Sequence, residues 1–303
     1  MNQNETIELH PPSSGLSGGF SDEDAFLRNL KRWLGISSVY IFMTILALIF
    51  MIPLLWMLST SLKGRAEIFA WPPQWVPSDP QWNNYGDAFS KYPLARFMLN
   101  STLLVVLNII GEVISVPIIA FAFARLRFPF KRILFVLMLS PMMIPGHIKL
   151  IPLYWLYQKL GLIGTYWPLF LPAFFGNPFF IFLMVQYMRT IPRELDDAAR
   201  IDGASTWTIL YRIILPLTLP AMTIIVVFTF LWTWNDFMSP LIYLTDFNSY
   251  PISVGLAFFR GRYSVEWNLF MAATLVSILP ILVLYFFAQR HLIGGLSTLG
   301  LKG

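Results

Sequence analysis

Long apolar runs alternate with short polar segments along most of this chain. The runs lie at about 36–58, 98–125, 133–157, 163–188, 217–245 and 268–289. Each has the roughly 20 residues that a helix needs to cross the hydrocarbon core of a bilayer. Only helices suit such runs, because every backbone polar group in lipid must be hydrogen-bonded within the segment. The pattern therefore predicts an all-α, polytopic membrane protein with six transmembrane helices.

Polar tails flank this predicted domain, which occupies residues 36–290. Residues 1–35 contain a pair of prolines, several Ser and Gly residues and the acidic run 22–24. We interpret them as a partly disordered cytoplasmic tail, because they offer too few apolar residues to form a core. Residues 291–303 form a short Gly-containing tail, which we also expect on the cytoplasmic side.

Composition excludes several classes of protein. Of the 303 residues, 56% are apolar and 12% are charged, with a mean hydropathy of +0.63. A soluble domain carries about twice that charged fraction. The chain has no cysteine and its three histidines are far apart, so we expect no disulfide and no metal site. The net charge of +5 is spread along the chain, and we expect no nucleic-acid partner.

Lys and Arg residues favour one orientation of the predicted bundle. With the N-terminus inside the cell, the short basic segments 125–132 and 189–212 both lie in the cytoplasm. An excess of positive charge in short loops sets the orientation of membrane proteins. We therefore predict that both termini and the loop between the fourth and fifth runs face the cytoplasm.

That loop is a charged, amphipathic segment in an otherwise mostly apolar sequence. Its pattern predicts a helix with Pro192 in the first turn and an Asp196–Arg200 pair along one face. Gly203 is expected to end this helix and to form a bend. A second helical run should continue until Pro216 interrupts it.

This charged segment resembles the Glu-Ala-Ala–Gly–Ile-x-Leu-Pro loop of ABC-importer permeases. The residues that match are Asp197, Ala198, Ala199, Gly203, Ile213, Leu215 and Pro216. Asp197 is the one departure, a shorter acid of the same charge. The fuller run 198–205 is similar to the carbohydrate-uptake branch, the maltose-type permeases, as are 121–132 and 234–237. The resemblance extends from about residue 36 to the C-terminus and implies the ABC type I importer permease fold.

In that family this loop is the coupling helix, which docks in a groove of the cytoplasmic ATPase. The resemblance thus implies a coupling loop at about 190–216, in which substitution of Gly203 by Asp should uncouple ATP hydrolysis from uptake. The residues that it assigns to the coupling loop are Glu194, Asp197, Ala198, Ala199, Arg200, Asp202, Gly203, Ala204, Leu215 and Pro216.

The resemblance also implies partners. It predicts a permease subunit in the lipid of a prokaryotic inner membrane, which imports a carbohydrate by alternating access. A second homologous permease subunit, an ATP-binding subunit dimer and an extracytoplasmic solute-binding protein would complete the importer. The chain contains no Gly-Lys dipeptide and hence no Walker A loop. We therefore expect this chain to bind no cofactor and to be no enzyme, with ATP-Mg used by the partner ATPase.

Two groups of polar residues lie within the predicted spans. A carboxylate at the bilayer centre costs about 2.5–3.5 kcal/mol, so it normally faces the bundle interior and marks function. Acids and amides beside indole rings suit a sugar, whose hydroxyls need hydrogen bonds and whose C–H face packs on aromatic rings. Hydrogen bonds between helices are the alternative role of such residues. The candidate substrate-pathway residues are Asn108, Glu112, Trp232, Trp234, Asn235 and Asp236.

Two other classes of function account for part of this pattern. An ion-coupled secondary transporter of a polar solute would use Glu112 and Asp236 as an ion relay and should contain an inverted repeat. No clear repeat is present, and this alternative leaves the loop 190–216 unexplained. A multi-pass membrane enzyme should show acids or histidines clustered at one interface, and none is evident.

Overall fold

The computed structural model describes residues 22–260 and 265–300. Within these ranges the secondary structure is helical, apart from an isolated antiparallel bridge between Arg260 and Val265. Most of the predicted N-terminal tail, residues 1–21, and the last three residues of the chain lie outside the described residues.

The helices alternate between long spans and short connecting pieces. In chain order the α-helices are α1 (Asp22–Ser61), α2 (Arg65–Ile68), α3 (Asn83–Lys91), α4 (Leu94–Arg125), α5 (Lys131–Leu139), α6 (Gly146–Lys159), α7 (Trp167–Phe170), α8 (Pro178–Thr190), α9 (Glu194–Ile201), α10 (Thr206–Thr208), α11 (Leu215–Leu217), α12 (Leu219–Asn235), α13 (Met238–Tyr243), α14 (Ile252–Gly255) and α15 (Trp267–Gly300). The 3-10 segments are Ser140–Met143, Leu171–Phe175, Phe247–Ser249 and Leu256–Phe259, and Ile209–Ile214 is a π-helix.

Four helical segments are long and apolar enough to cross a membrane, and two bent pairs also qualify. The four segments are Trp33–Ser61, Leu94–Arg125, Trp167–Thr190 and Trp267–Gln289. The bent pairs are Lys131–Met143 with Ile148–Lys159, at 105°, and Thr206–Leu217 with Leu219–Asn235, at 75°. With each pair counted as one span, the described residues provide six, which confirms the predicted all-α membrane fold.

The third span, predicted at 133–157, is a broken helix. It breaks between α5 and α6, where Pro141 and Pro145 lie close together in the sequence. Proline removes a backbone donor and disfavours helical geometry in the preceding residue. Ile144, which precedes Pro145, accordingly has an extended backbone with ψ 121°.

The helices at both ends of the chain run beyond the predicted spans. α1 begins at Asp22, so residues 22–35 of the predicted tail belong to the first helix. α15 continues to Gly300, so residues 291–300 are helical as well. In both places, the helix of the neighbouring span continues into the polar segment.

The chain divides into two compact units between Leu55 and Trp56. The first contains the N-terminal part of α1, where neighbouring apolar side chains such as Ile41 and Phe42 are both exposed. A helix that is apolar on all sides is typical of a membrane span.

The second unit is built around α4, which packs against α8, α12 and the 3-10 segment Leu171–Phe175. Near its C-terminal end, α4 contributes Val116, Ala120 and Ala124 to a hydrophobic cluster shared with α8, α9 and α12. Near its N-terminal end, it contributes Leu94, Phe97 and Val105 to a second cluster with α12 and α15. Asn108 and Glu112 lie on α4 between these clusters, so the bundle has a polar level between two apolar ones.

Candidate functional site

The short helix α9 follows the fourth span and carries the charges of the predicted coupling loop. Its first turn contains Glu194, Asp196 and Asp197, close to the positive end of the helix dipole. Pro192 lies before the N-cap rather than in the first turn, so that prediction was wrong. Ile191 is extended, as residues before proline tend to be, and this delays the start of α9.

α9 ends in a Schellman motif centred on Gly203. The N–H of Gly203 donates to the carbonyl of Arg200 at 3.0 Å, and the N–H of Ala204 donates to that of Ala199 at 2.9 Å. Gly203 has φ +79°, a left-handed conformation that favours glycine. The bend therefore lies where the sequence predicts it. Beyond it, Thr206–Leu217 is helical as far as the 75° bend that precedes α12.

The residues assigned to the coupling loop separate by exposure. Ala199 is buried, and Ala204 and Leu215 are partly buried against the hydrophobic cluster that α9 shares with α4. The remaining members are exposed: Glu194, Asp197, Ala198, Arg200, Asp202, Gly203 and Pro216. One set of residues thus anchors the loop to the bundle, and the other forms its free surface.

That free surface also exposes large apolar side chains. Ile201 is 87% exposed, and Leu195, Trp207 and Tyr211 are exposed too. The rings of Trp207 and Tyr211 are stacked, with centroids 5.9 Å apart. Large apolar and aromatic side chains exposed beside charged ones are typical of a protein–protein contact surface.

An ion pair that was not expected from the sequence joins α9 to α4. Asp196 Oδ2 lies 3.3 Å from Nε of Arg125, the last residue of α4, and both side chains are buried. The predicted Asp196–Arg200 pair is wrong, because Asp196 faces inward toward α4 while Arg200 lies on the outer side of α9. Arg200 pairs instead with the exposed Asp197, at 3.3 Å.

The polar level of the bundle opens into a cavity of about 640 Å³. Most of the candidate substrate-pathway residues, although distant in sequence, line it together. Its lining includes Asn108, Glu112, Trp232, Asn235 and Asp236, together with Asn177, Thr229 and Thr233.

Backbone breaks in two spans occur at this cavity. The predicted fifth span, 217–245, is not one helix, because α12 ends at Asn235 and Asp236 has a non-helical backbone with ψ 111°. The fourth span is interrupted before Asn177, which starts α8 by accepting the N–H of Phe179 at 2.9 Å. Irregular backbone at membrane depth is tolerated where it lines a cavity or is buried in protein.

At each of these two breaks, a carboxylate accepts a hydrogen bond from a backbone N–H. Glu112 Oε2 accepts the N–H of Asn177 at 3.1 Å. Asp236 Oδ1 accepts the N–H of Ser239 at 3.1 Å, at the start of α13. Each acid therefore satisfies a backbone donor that the broken helix leaves free, while the same side chain lines the cavity.

Trp234 does not share this environment. It is 3% exposed, lies in the hydrophobic cluster with Phe97, and donates its indole N–H to the carbonyl of Ser277 at 3.1 Å. Trp232, two residues earlier, is 46% exposed and lines the cavity. The two indoles point in different directions because residues two apart on a helix do not share a face.

Some polar residues at these sites were missed from the sequence. Asn177 could have been identified as a helix start, because it precedes Pro178 after an apolar run. Arg125 gave no such signal, since its partner Asp196 is far away in the sequence. In the part of the chain that the structure describes, no group of three or more His, Cys, Asp or Glu side chains could hold a metal ion.

Comparisons with known proteins agree on one class. The model of the family described as "Binding-protein-dependent transport system inner membrane component" matches residues 114–297. The probable ABC transporter permease protein YurM of Bacillus subtilis is 31% identical over 278 residues, which are 90% of this chain and 91% of that protein. The diacetylchitobiose uptake system permease protein NgcG of Streptomyces coelicolor is 30% identical over 254 residues, covering 83% and 84% of the two chains.

Solved structures support the same fold. A chain from the crystal structure of a bacterial ABC transporter involved in the import of the acidic polysaccharide alginate aligns with a TM-score of 0.76. The alignment covers 86% of this chain and 96% of that chain, at 22% sequence identity.

Proposed function

Because this chain belongs to the family of inner membrane components of binding-protein-dependent transport systems, we propose that it translocates a sugar or oligosaccharide by alternating access. It is the permease subunit of an ABC importer, a transport component and not an enzyme. The observation that carries the sugar assignment is the cavity in which Glu112, Asp236 and several amides surround an exposed indole.

The chemistry of the cavity lining supports an uncharged sugar. Amides and hydroxyls can exchange hydrogen bonds with a polyol, and the ring of Trp232 can pack against its C–H face. Glu112 and Asp236 would repel an anionic solute, and no Lys or Arg is among the described residues that line the cavity. Named relatives, such as the diacetylchitobiose uptake permease, support a carbohydrate as the solute.

Energy enters, in our proposal, through the exposed surface of α9 and the turn at Gly203. The partner would be a dimer of ATP-binding subunits that uses ATP-Mg, while this chain holds no nucleotide. Exposed side chains of both polar and apolar character at this surface, such as Arg200, Ile201 and Trp207, support docking against another protein.

The remaining partners follow from the same assignment. A second homologous permease would complete the translocation pathway, and lipid would surround the exposed apolar side chains of the spans. An extracytoplasmic solute-binding protein would dock on the opposite side from α9, where Trp71, Trp75 and Trp82 are exposed in the segment before α4.

The orientation has a direct test, since the chain contains no cysteine. We expect both termini and the loop 190–216 to face the cytoplasm. A cysteine at Asp202 should react with a membrane-impermeant maleimide only after the cells are permeabilised, and a cysteine at Val76 should react in intact spheroplasts. Labelling of position 202 in sealed spheroplasts would overturn the proposed orientation.

Uptake by the purified complex tests the transport assignment. Proteoliposomes containing this chain and its copurifying subunits should accumulate a neutral oligosaccharide with internal ATP and the solute-binding protein, without an ion gradient. Uptake driven by a proton or sodium gradient in the absence of ATP would support the secondary transporter instead. Failure of any nucleotide-hydrolysing subunit to copurify would also contradict the proposal.

A further inference from the structure

The covalent connection between α9 and the bundle is short. α8 ends at Thr190, and Ile191, which begins the link to α9, is extended with ψ 128°. A single extended link of this kind can act as a hinge, because backbone rotation at a few loop residues changes the direction of the next helix. Within α9 itself, Ala199 is the residue that belongs to the buried hydrophobic cluster, so a further contact is needed if α9 is to keep a fixed angle to the spans.

The buried pair between Arg125 and Asp196 supplies that contact. The two side chains are 2% and 5% exposed, with Nε and Oδ2 3.3 Å apart. Another nitrogen of Arg125 donates to the carbonyl of Ile191 at 2.8 Å. In the opposite direction, Arg193, which precedes α9, donates to the carbonyl of Ala124 on α4 at 3.4 Å. An arginine from each of the two elements thus bonds to the backbone of the other.

Stability alone does not account for this pair. Removing two charges from water costs about as much as their attraction returns, and buried pairs can often be replaced by apolar residues without loss. Apolar neighbours are present, because Ala124, Ile191 and Ala199 belong to the same hydrophobic cluster. Nε of Arg125 and Oδ1 of Asp196 are moreover both buried without a hydrogen-bond partner among the described residues, so the pair is held by charge attraction rather than by a hydrogen bond. Fixing the register of two elements is the best-attested role of such a pair.

Arg125 also lies on the helix that reaches the cavity. Glu112 is 13 residues earlier on α4, which is about 20 Å along the helix axis. We propose that Arg125 is a positioning residue, which acts through Asp196 to hold α9 and α4 as one rigid body. A displacement of α9 by the ATPase is then transmitted through α4 to the cavity wall. This inference rests on the proposed function, since it requires an ATPase that moves α9.

Crosslinking tests the rigid-body connection in the assembled importer. The double variant Arg125→Cys/Asp196→Cys can be joined by a short bifunctional thiosulfonate reagent in this cysteine-free chain. Without reagent, the uptake per ATP hydrolysed should fall by at least about fivefold, the lower end of ordinary coupling energies. The crosslink should restore this ratio, because α9 and α4 again move together. Loss of uptake on crosslinking, or normal coupling without it, would overturn the inference.

A second variant covers the case in which the cysteine pair does not assemble. Arg125→Met/Asp196→Leu replaces the ion pair by apolar side chains, which can contact the hydrophobic cluster on one side of the pair. On the other side, the pair lines a cavity with charged residues that include Arg193 and Arg200. The double variant should assemble with little change in thermal stability, because such replacements are often close to neutral. It should still lose coupling, because it lacks the charge attraction that holds Asp196 against Arg125. Normal coupling in this variant would reduce the pair to a packing role. If the unmodified complex shows no ATP-driven uptake, the proposed function fails; if it does and the variants match it, only this inference fails.

Discussion

Substitution of Gly203 by alanine isolates the geometry of the turn after α9. Gly203 has φ +79°, and a Cβ added there meets no heavy atom within 4 Å. The cost of the substitution is therefore conformational rather than steric. Placing an L-residue in this left-handed region costs roughly 1–2 kcal/mol. That energy weakens the Schellman turn relative to its alternatives by a factor of about 5–30.

An alternative is available to the chain, because alanine favours continuation of the helix beyond Asp202. Continuation would break the hydrogen bond between Ala204 and Ala199 and turn Ala204 out of its partly buried position. The docking surface would then rotate relative to α4. We therefore expect Gly203→Ala to lower uptake per ATP hydrolysed, with a stronger effect for Gly203→Val, whose branched side chain avoids φ > 0.

The assay is ATP-driven uptake in proteoliposomes, with ATP hydrolysis measured in the same samples. Gly203→Asn is the matched variant, because asparagine tolerates the left-handed conformation, and it should stay near the unmodified ratio. Gly203→Asp shares this tolerance, so any larger defect that it causes measures the added charge beside Asp202. Gly86→Ala, at an exposed helical position with open space around it, should leave coupling intact. Equal coupling for the Ala, Val and Asn variants would refute the reasoning.

Four further substitutions separate packing from transport. Trp234→Ala should destabilise the detergent-solubilised protein by about 3–5 kcal/mol because it empties a buried site, whereas Trp232→Ala should impair uptake with a smaller shift in thermal unfolding. Thr229→Val removes a buried hydroxyl that has no hydrogen-bond partner among the described residues and lines the cavity; uptake should weaken while the unfolding temperature holds or rises. Gly111→Ala places a Cβ 2.9 Å from the backbone of Ala173 and should cost about 1–3 kcal/mol by overpacking, measured by thermal unfolding. A stable Gly111→Ala protein, or unchanged uptake in Thr229→Val, would contradict these assignments.

Local patterns were sufficient for much of the fold. Apolar runs of span length predicted the six membrane segments, and Gly203 after an amphipathic stretch predicted the end of α9. Features that depend on tertiary contacts could not be predicted from local sequence patterns. Asp196 can pair with Arg200 by helical spacing alone, but α9 turns Asp196 toward Arg125, which is remote in sequence. Similarly, the fifth run was predicted as one span to residue 245 on its length, although Asn235 and Asp236 interrupt its apolar pattern where α12 ends.

The candidate cavity residues show the same limit. Glu112 and Asp236 were identifiable from the sequence because a charge inside a span is costly. Their meeting in one cavity was not identifiable, since it depends on the packing of α12 against α4. Trp232 and Trp234 were both predicted as pathway residues because each lies close to Asn235 and Asp236 in the sequence, yet the helix directs them to different environments.

The two roles considered for the intramembrane acids, holding helices together and contacting the solute, are compatible in this structure. The hydrogen bonds described for these carboxylates use Oε2 of Glu112, toward Asn177, and Oδ1 of Asp236, toward Ser239. A carboxylate has a second oxygen with acceptor capacity, and both side chains line the cavity. One oxygen can thus hold a broken span while the other accepts a sugar hydroxyl. Any movement of α4 that displaces Glu112 would then alter the solute contact and the break before α8 together.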